Sequence, residues 1–119
     1  MAGIYEMAKE LGGALARTDE YQALRRAGQA VDEDRESVEL RNRLREMEGQ
    51  LEAAFRSGQQ PSEELAQEFE AAAQELQTRP VFQQFIVAQT NFEKVMHKVN
   101  QTVAQGIQEG AASRIIISS

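Results

Sequence analysis

The chain of 119 residues contains no cysteine and no tryptophan, and it has only two prolines. Without cysteine it can form neither a disulfide framework nor a metal site made from its own thiolates. The scarcity of proline, together with the abundance of Glu, Gln, Ala, Leu and Arg, favours helices over strands. The composition therefore predicts an all-α protein.

Long apolar runs are missing as well, since no stretch approaches the roughly 20 residues that a transmembrane helix needs. The first residues show neither the basic start nor the apolar segment of a signal peptide. A chain of 119 residues has the size of one domain and is long enough to bury a core. We therefore expect a single helical domain over residues 1–119, located in the cytoplasm and without a membrane partner.

Positive charge is in short supply, because the formal net charge is −6 at pH 7. Contacts to nucleic-acid phosphates require a basic surface, so the charge argues against general nucleic-acid binding. A basic stripe has only four candidate members, which are Arg25, Arg26, Arg41 and Arg45. Direct RNA binding through these arginines remains an alternative hypothesis for the function.

The side chains that usually carry catalysis or hold metals are also sparse. His97 is the only histidine, and Glu93 precedes it by four residues, whereas a ferritin-like metal site needs Glu-x-x-His on two helices. The Gly12-Gly13 pair lies inside a predicted helix and not in a phosphate-binding loop between a strand and a helix. We therefore expect no enzyme activity, no catalytic residue, no metal site and no cofactor.

Capping signals divide the chain into helices. Thr18, Asp34 and Ser62 are typical N-cap residues, Gly58 is a typical glycine after a helix end, and Pro80 suits a first helical turn. The short connection around Gly58 makes the third and fourth helices antiparallel neighbours. The predicted architecture is an antiparallel helical hairpin or bundle of about five helices with a long C-terminal helix. The predicted helices cover about residues 3–16, 19–31, 35–57, 63–77 and 80–108, followed by a tail over 111–119.

The long last helix carries the best candidate interface. Apolar residues recur along it at alternating three- and four-residue spacing, and residues 81–88 are apolar around most of the helix. Such a segment is covered on several sides, which predicts an oligomer. Two polar residues interrupt the pattern: Gln89 falls on this seam, and Asn100 lies near its centre. Each is either a solvated boundary residue or part of a buried amide pair that sets the register between facing helices. The predicted oligomer or partner interface is Phe82, Phe85, Ile86, Gln89, Phe92, Met96 and Val99.

The order and spacing of a larger set of residues indicate a family. The set is Leu11, Ala14-Leu15, Glu20-Tyr21, Ala27, Asp34, Gly58, Pro61, Pro80-Val81, Phe85, Ala88-Gln89, Phe92, Met96 and Val99-Asn100. With these residues the chain resembles the YlbF/YmcA/YheA family of small bacterial helical proteins over roughly residues 4–108. The resemblance implies an all-α fold that associates through its long helices in the bacterial cytoplasm.

For YlbF- and YmcA-type members the resemblance further implies a regulatory role in competence, sporulation and biofilm formation. Those members act in a complex that steers the processing of messenger RNA by an endoribonuclease, and the complex is associated with iron–sulfur clusters held by cysteines. The present chain departs from that pattern because it has no cysteine. Cluster binding is therefore not transferred, and the chain stands nearer the YheA-type branch.

The function predicted from these observations is that of a non-catalytic helical interaction or regulatory protein. It would serve as an adaptor in a regulatory complex affecting mRNA processing, competence, sporulation or biofilm formation. The expected partners are a second copy of the chain, in a homodimer or higher oligomer, other family members, or an endoribonuclease. The alternatives are a direct RNA-binding cofactor and a helical protein with a purely structural role.

Overall fold

The computed structural model describes the backbone of residues 3–118 and the side chains of residues 3–112. Within this range the chain forms helices and no strand. The helices are α1 (Ile4–Ala16), α2 (Asp19–Glu33), α3 (Arg35–Arg56), α4 (Glu63–Thr78) and α5 (Pro80–Ser118). The predicted all-α fold of about five helices with a long C-terminal helix is confirmed.

The predicted capping residues begin and end helices as expected. The side chains of Thr18, Asp34 and Ser62 each accept a hydrogen bond from the backbone N–H three residues later, at 3.1 or 3.2 Å. Gly58 has a φ of 76°, in the left-handed region that favours glycine. Its N–H and that of the next residue donate to carbonyls of the last turn of α3, which closes the helix.

The end of α5 lies beyond its predicted position. The sequence predicted a helix to residue 108 and a tail over 111–119, but α5 continues to Ser118. No proline follows Pro80, and Gly106 and Gly110 each cost about 1 kcal/mol relative to alanine without removing a backbone hydrogen bond. Glycine therefore weakens the helix without stopping it. The side chains of residues 115–117, in the predicted tail, lie outside the described residues.

The third and fourth helices form a hairpin with its own apolar core. They are joined by the short connection over residues 57–62 and pack directly on each other. The buried members of this hairpin core are Leu40, Met47, Ala72 and Leu76. Half-buried apolar residues that pack against it are Leu44, Leu65, Phe69 and Phe82. Because Phe82 belongs to the first turn of α5, the hairpin core also anchors the start of the last helix.

The second and fifth helices form the other main pair. Gly28 lies opposite Phe85, and Tyr21 lies opposite Phe92, so α2 and α5 run antiparallel. A Cβ atom at Gly28 would sit 3.7 Å from Cε1 of Phe85. A Cβ atom at this position would be in ordinary van der Waals contact with the ring, so only a side chain longer than alanine would meet the phenylalanine.

A short ion-pair network joins two of the interhelical turns. Asp34 is the residue between α2 and α3, and Arg79 is the residue between α4 and α5. Nε of Arg79 donates to Oδ2 of Asp34 at 3.1 Å, and Nη2 donates to Oδ1 at 2.9 Å. Nη1 of Arg79 also lies 2.7 Å from Oε2 of Glu36. The guanidinium of Arg79 thereby joins the α2–α3 turn to the α4–α5 turn, and these two turns connect the α2–α5 pair to the α3–α4 hairpin.

The same carboxylate also accepts hydrogen bonds from α3. The hydroxyl of Ser37, which is fully buried, donates to Oδ2 of Asp34. The hydrogen bonds from Arg79, followed by those from Ser37, hold the pKa of Asp34 below its ordinary value. The Asp34 carboxylate in turn raises the pKa of Arg79. Both groups are therefore stabilised in their charged forms.

The whole chain is elongated. Its radius of gyration is 21.7 Å and its extents are 68 × 37 × 21 Å, whereas a compact domain of this length has a radius near 14 Å. Its accessible surface is 9547 Å², against about 6,500 Å² for a compact folded monomer of this mass. A single copy thus leaves uncovered an unusually large surface.

Replacing Asp34 with asparagine tests the network through its pH dependence. Because the pKa of Asp34 is lowered in the folded state, its stabilising effect is complete above the unfolded pKa of about 3.9 and is lost as pH falls through the folded value. Asparagine retains N-cap ability but removes the charge. We expect Asp34→Asn to melt below the parent protein at pH 7, and the difference in melting temperature to shrink below about pH 4.

The matched control is Asp32→Asn, since Asp32 forms an exposed ion pair with Arg41 at 2.9 Å. Exposed pairs contribute little, so this variant should melt close to the parent protein at neutral pH. A melting difference for Asp34→Asn that stays constant from pH 7 to pH 2 would contradict the role assigned to the carboxylate charge.

A pair of glycine substitutions tests the close approach of α2 and α5. Gly28→Leu should lower the free energy of unfolding by about 1–3 kcal/mol, because atoms beyond Cβ would overlap the ring of Phe85. Gly49→Leu lies in α3 with no atom within 4 Å of an added Cβ, so it should gain about 0.5–1 kcal/mol from helix propensity. Urea unfolding of both variants measures the contrast, and equal effects would show that the helices are farther apart.

Candidate interaction surfaces

Three residues of the predicted interface have partners inside the chain. Phe82 packs on the hairpin core, and its ring centroid lies 6.2 Å from that of Phe85. The ring of Phe92 meets Tyr21 edge to face, with centroids 5.3 Å apart and planes at 63°. These phenylalanines are half-buried without any second copy. Their first role is therefore to hold α5 against α2 and the hairpin.

The centre of the predicted seam is displaced by one residue. Ala88 is buried at 7% exposure, whereas Gln89 and Asn100 are exposed. Within the chain, Gln89 is thus a solvated residue at the boundary of the packed face, and its neighbour Ala88 takes the buried position. A buried amide pair between Gln89 and Asn100 does not form within the chain. A role for Gln89 between chains stays a prediction.

The remaining interface residues differ in exposure. Met96 and Val99 are half-buried, while Ile86 is 42% exposed. Its neighbour Val87 is 60% exposed. We call these two exposed residues, Ile86 and Val87, the outer patch.

Two shallow open grooves flank the outer patch. One is lined by Gln77, Phe82, Gln83, Ile86 and Val87. The other runs between α2 and α5 and shares Gln83 and Val87 with the first. Arg26 is the one charged side chain among the residues that line the two grooves. Grooves with this lining suit an apolar contact to another helix better than they suit acid–base chemistry.

A further apolar surface lies near the two ends of the chain. Residues 101–112 of α5, here called the distal segment, are all exposed, with Val103 at 51% and Ile107 at 67%. Helix α1 has no buried residue and packs only lightly on α2. Its Ile4 and Met7 are 79% and 57% exposed. No interface was predicted for α1 from its sequence.

The signal for α1 was present in the sequence. Ile4, Met7, Leu11 and Leu15 follow the three- and four-residue spacing of a helix face that needs a packing partner. In the structure only Leu15 of these four is half-buried. The apolar face therefore indicates contact with something other than the described remainder of this chain.

The charged residues form no reactive cluster in the part of the chain that the structure describes. There, no group of three or more His, Cys, Asp or Glu side chains is arranged to hold a metal ion. His97 and Glu93 are both exposed. Of the four arginines suggested as a basic stripe, Arg41 is paired with Asp32, which reduces the positive charge available for phosphates. No helix within residues 3–118 combines the length and the apolar character that crossing a bilayer demands.

The sequence of this chain matches a known protein family. The profile of the family described as control of competence regulator ComK, YlbF/YmcA, matches residues 4–108. The chain belongs to this family. Residues 4–108 include α1 to α4 and most of α5, so the family assignment covers nearly the whole fold.

Relatives in the family include proteins named UPF0342 protein. One from Staphylococcus saprophyticus is 28% identical over 106 residues, which cover 89% of this chain and 93% of the relative. Another from Streptococcus mutans is 24% identical over 106 residues, covering 89% and 94% of the two chains. The similarity thus extends along almost the full length of both proteins.

A solved structure shares the fold. The X-ray crystal structure of Bacillus subtilis RicA in complex with RicF contains a chain that superimposes with a TM-score of 0.78. The match covers 91% of this chain and 96% of that chain at 15% sequence identity. At this identity the comparison supports the helical arrangement alone.

The iron–sulfur clusters implied by the resemblance do not fit this family member. Such clusters are held chiefly by cysteine thiolates, and the chain has none. The one histidine, His97, is exposed and belongs to no metal-binding group within the described residues. The side chains of this protein therefore lack the thiolate ligands that an iron–sulfur cluster requires.

Replacing Phe92 with alanine tests the packed face of α5. Phe92 is half-buried against Tyr21, so we expect the free energy of unfolding to fall by about 2–4 kcal/mol. Glu93→Ala, one position further on at an exposed site, should change it by less than about 0.5 kcal/mol. Denaturant unfolding gives both values. If Phe92→Ala unfolds like the parent protein, the orientation of α5 is incorrect.

Proposed function

We propose that this chain is a non-catalytic helical protein that assembles with itself and acts as an adaptor in a regulatory protein complex. The observation that carries the proposal is the apolar surface left exposed on α1 and α5. Its members include Ile4, Met7, Ile86, Val87, Val103 and Ile107, each at least 42% exposed. Large exposed apolar surfaces of this kind are typical of protein–protein contact sites.

The family and the fold support a regulatory role. The matching family is described by control of a competence regulator, and the related RicA fold was solved in complex with another protein, RicF. By analogy, the proposed partners are other members of the family or an endoribonuclease. The processes proposed to depend on the complex are mRNA processing, competence, sporulation or biofilm formation. The cytoplasmic location expected from the resemblance is part of the same proposal.

The lining of the two grooves beside the outer patch suits an adaptor. These two grooves are lined by apolar, amide and small side chains around a single arginine, whereas grooves near the end of α3 include Glu48, Glu52 and Arg56. General acid–base catalysis needs a titratable group positioned beside the reacting atoms, and nucleophilic catalysis needs a base beside its nucleophile. The groove lining therefore supports binding through shape and apolar contact.

Light scattering coupled to gel filtration tests the self-assembly. The chain has a mass of 13.3 kDa, and we expect at micromolar concentration a mass of at least twice that value. Leaving large apolar side chains in water forgoes about 1.5–3 kcal/mol for each one that association would bury, which favours the oligomer. A mass of one chain across the micromolar range would overturn this part of the proposal.

Affinity capture from the native host tests the adaptor role. The bait protein should retain a family member or an endoribonuclease, identified by mass spectrometry. Val87→Glu should lose that partner, because a charge in the outer patch opposes apolar contact. Thr90→Glu, at an exposed position one turn away, is the matched control and should retain it. If the parent protein, Val87→Glu and Thr90→Glu recover the partner equally, the outer patch does not bind it.

A further inference from the structure

The apolar faces of α1 and of the distal segment both lack a cover, and the two elements are similar in length. We propose that two copies cover one another reciprocally, with α1 of each copy packed along the distal segment of the partner's α5. This arrangement rests on the self-assembly proposed above and assigns the contact that produces it. It makes α1 an assembly element and leaves the outer patch free for a different protein.

The distal segment continues the face that α5 presents to α2. Phe92 and Val99 are half-buried on that face, and Val103 follows Val99 at the same helical spacing. Because Tyr21, in the first turn of α2, already lies opposite Phe92, α2 ends its contact well before Val103. The exposed distal segment extends for about 18 Å at the normal helical rise. Apolar side chains therefore continue past the helix that covers them.

Helix α1 has the dimensions and the face to cover that segment. Its 13 residues span about 20 Å, close to the length of the distal segment. Its exposed apolar residues Ile4, Met7 and Leu11 lie along one side. Helices of this length are marginal in water on their own, and the Gly12-Gly13 pair weakens α1 further. A second surface would supply the apolar contact that most of this helix lacks within one chain.

Neither element carries much charge. Helix α1 contains Glu6, Lys9 and Glu10, and the one charged residue of the distal segment is Glu109. Two acidic residues and one basic residue give α1 a net charge of −1, the same as the distal segment, so apolar contact and not charge would hold the pair together.

The available area agrees with a pair of copies. The chain exposes 9547 Å², about 3,000 Å² more than a compact monomer of its mass. A stable interface removes about 800 Å² from each partner, well within this excess. A two-fold axis would make each contact twice, α1 on the partner's α5 and the reverse. Such an isologous arrangement closes at two copies and leaves neither face uncovered.

Cysteine trapping tests the contact directly, because the natural chain contains no cysteine to interfere. Met7→Cys and Val103→Cys are prepared separately, unfolded, mixed, refolded and oxidised. We expect the mixed disulfide between the two variants to form several-fold more than either homodisulfide. Phe55→Cys replaces Val103→Cys in the control mixture, since Phe55 is 74% exposed at the far end of α3. Equal trapping in both mixtures would overturn the proposal.

Charge substitutions test the same contact without cross-linking. Met7→Asp and Val103→Asp should each shift the mass measured by light scattering from two copies to one. Thr102→Asp, exposed on the adjacent position of α5, should keep the mass of the parent protein. Far-UV circular dichroism of each variant reports whether the helices remain folded.

The outcomes separate this contact from the self-assembly on which it rests. A parent protein that is monomeric overturns both. A parent protein that is dimeric, with no mixed disulfide and no change of mass in Met7→Asp or Val103→Asp, overturns only the α1–distal contact. If the charged variants unfold, the cysteine mixture still decides between the two results.

Discussion

The arrangement of the helices depends on the ion pair between Asp34 and Arg79. The turn between α2 and α3 and the turn between α4 and α5 are each only one residue long, so neither has a loop that can adjust to the helices it joins. Asp34 caps α3 and binds Arg79 at the same time, which fixes both turns at one point. The direction in which α5 leaves the hairpin, and with it the position of its exposed faces, follows from that point.

Local features of the fold were predictable because their signals lie within a few residues. A hydroxyl or carboxylate at Thr18, Asp34 or Ser62 reaches a backbone N–H only three residues away, and Gly58 adopts a conformation that other residues rarely take. Helix bounds therefore agreed within two residues except at the end of α5. There the glycines weaken the helix without terminating it, so a composition change was mistaken for a boundary.

Features that depend on distant residues were not predictable from spacing. Asp34 and Arg79 are 45 residues apart, and nothing in either local sequence identifies the other as its partner. Alternating three- and four-residue spacing allows either residue 88 or residue 89 to follow Phe85 on one face of α5, and the sequence pattern placed Gln89 there. In the structure Ala88 is the buried residue of the two. The phenylalanines predicted for an interface pack within the chain, and their part in contact between chains stays a prediction, because both kinds of contact leave the same apolar pattern.

The antiparallel pairing of α2 and α5 has a consequence for the order in which the chain matures. The α3–α4 hairpin closes over a short connection, whereas Tyr21 and Phe92 come from opposite ends of the sequence and must close a much longer loop. During synthesis the α3–α4 hairpin is complete before α5 is made, and the face of α2 that includes Tyr21 and Gly28 lacks its main cover until the last helix leaves the ribosome. A nascent chain interrupted before α5 therefore exposes an apolar face of α2. The final third of the protein covers this face and so prevents it from associating with other chains.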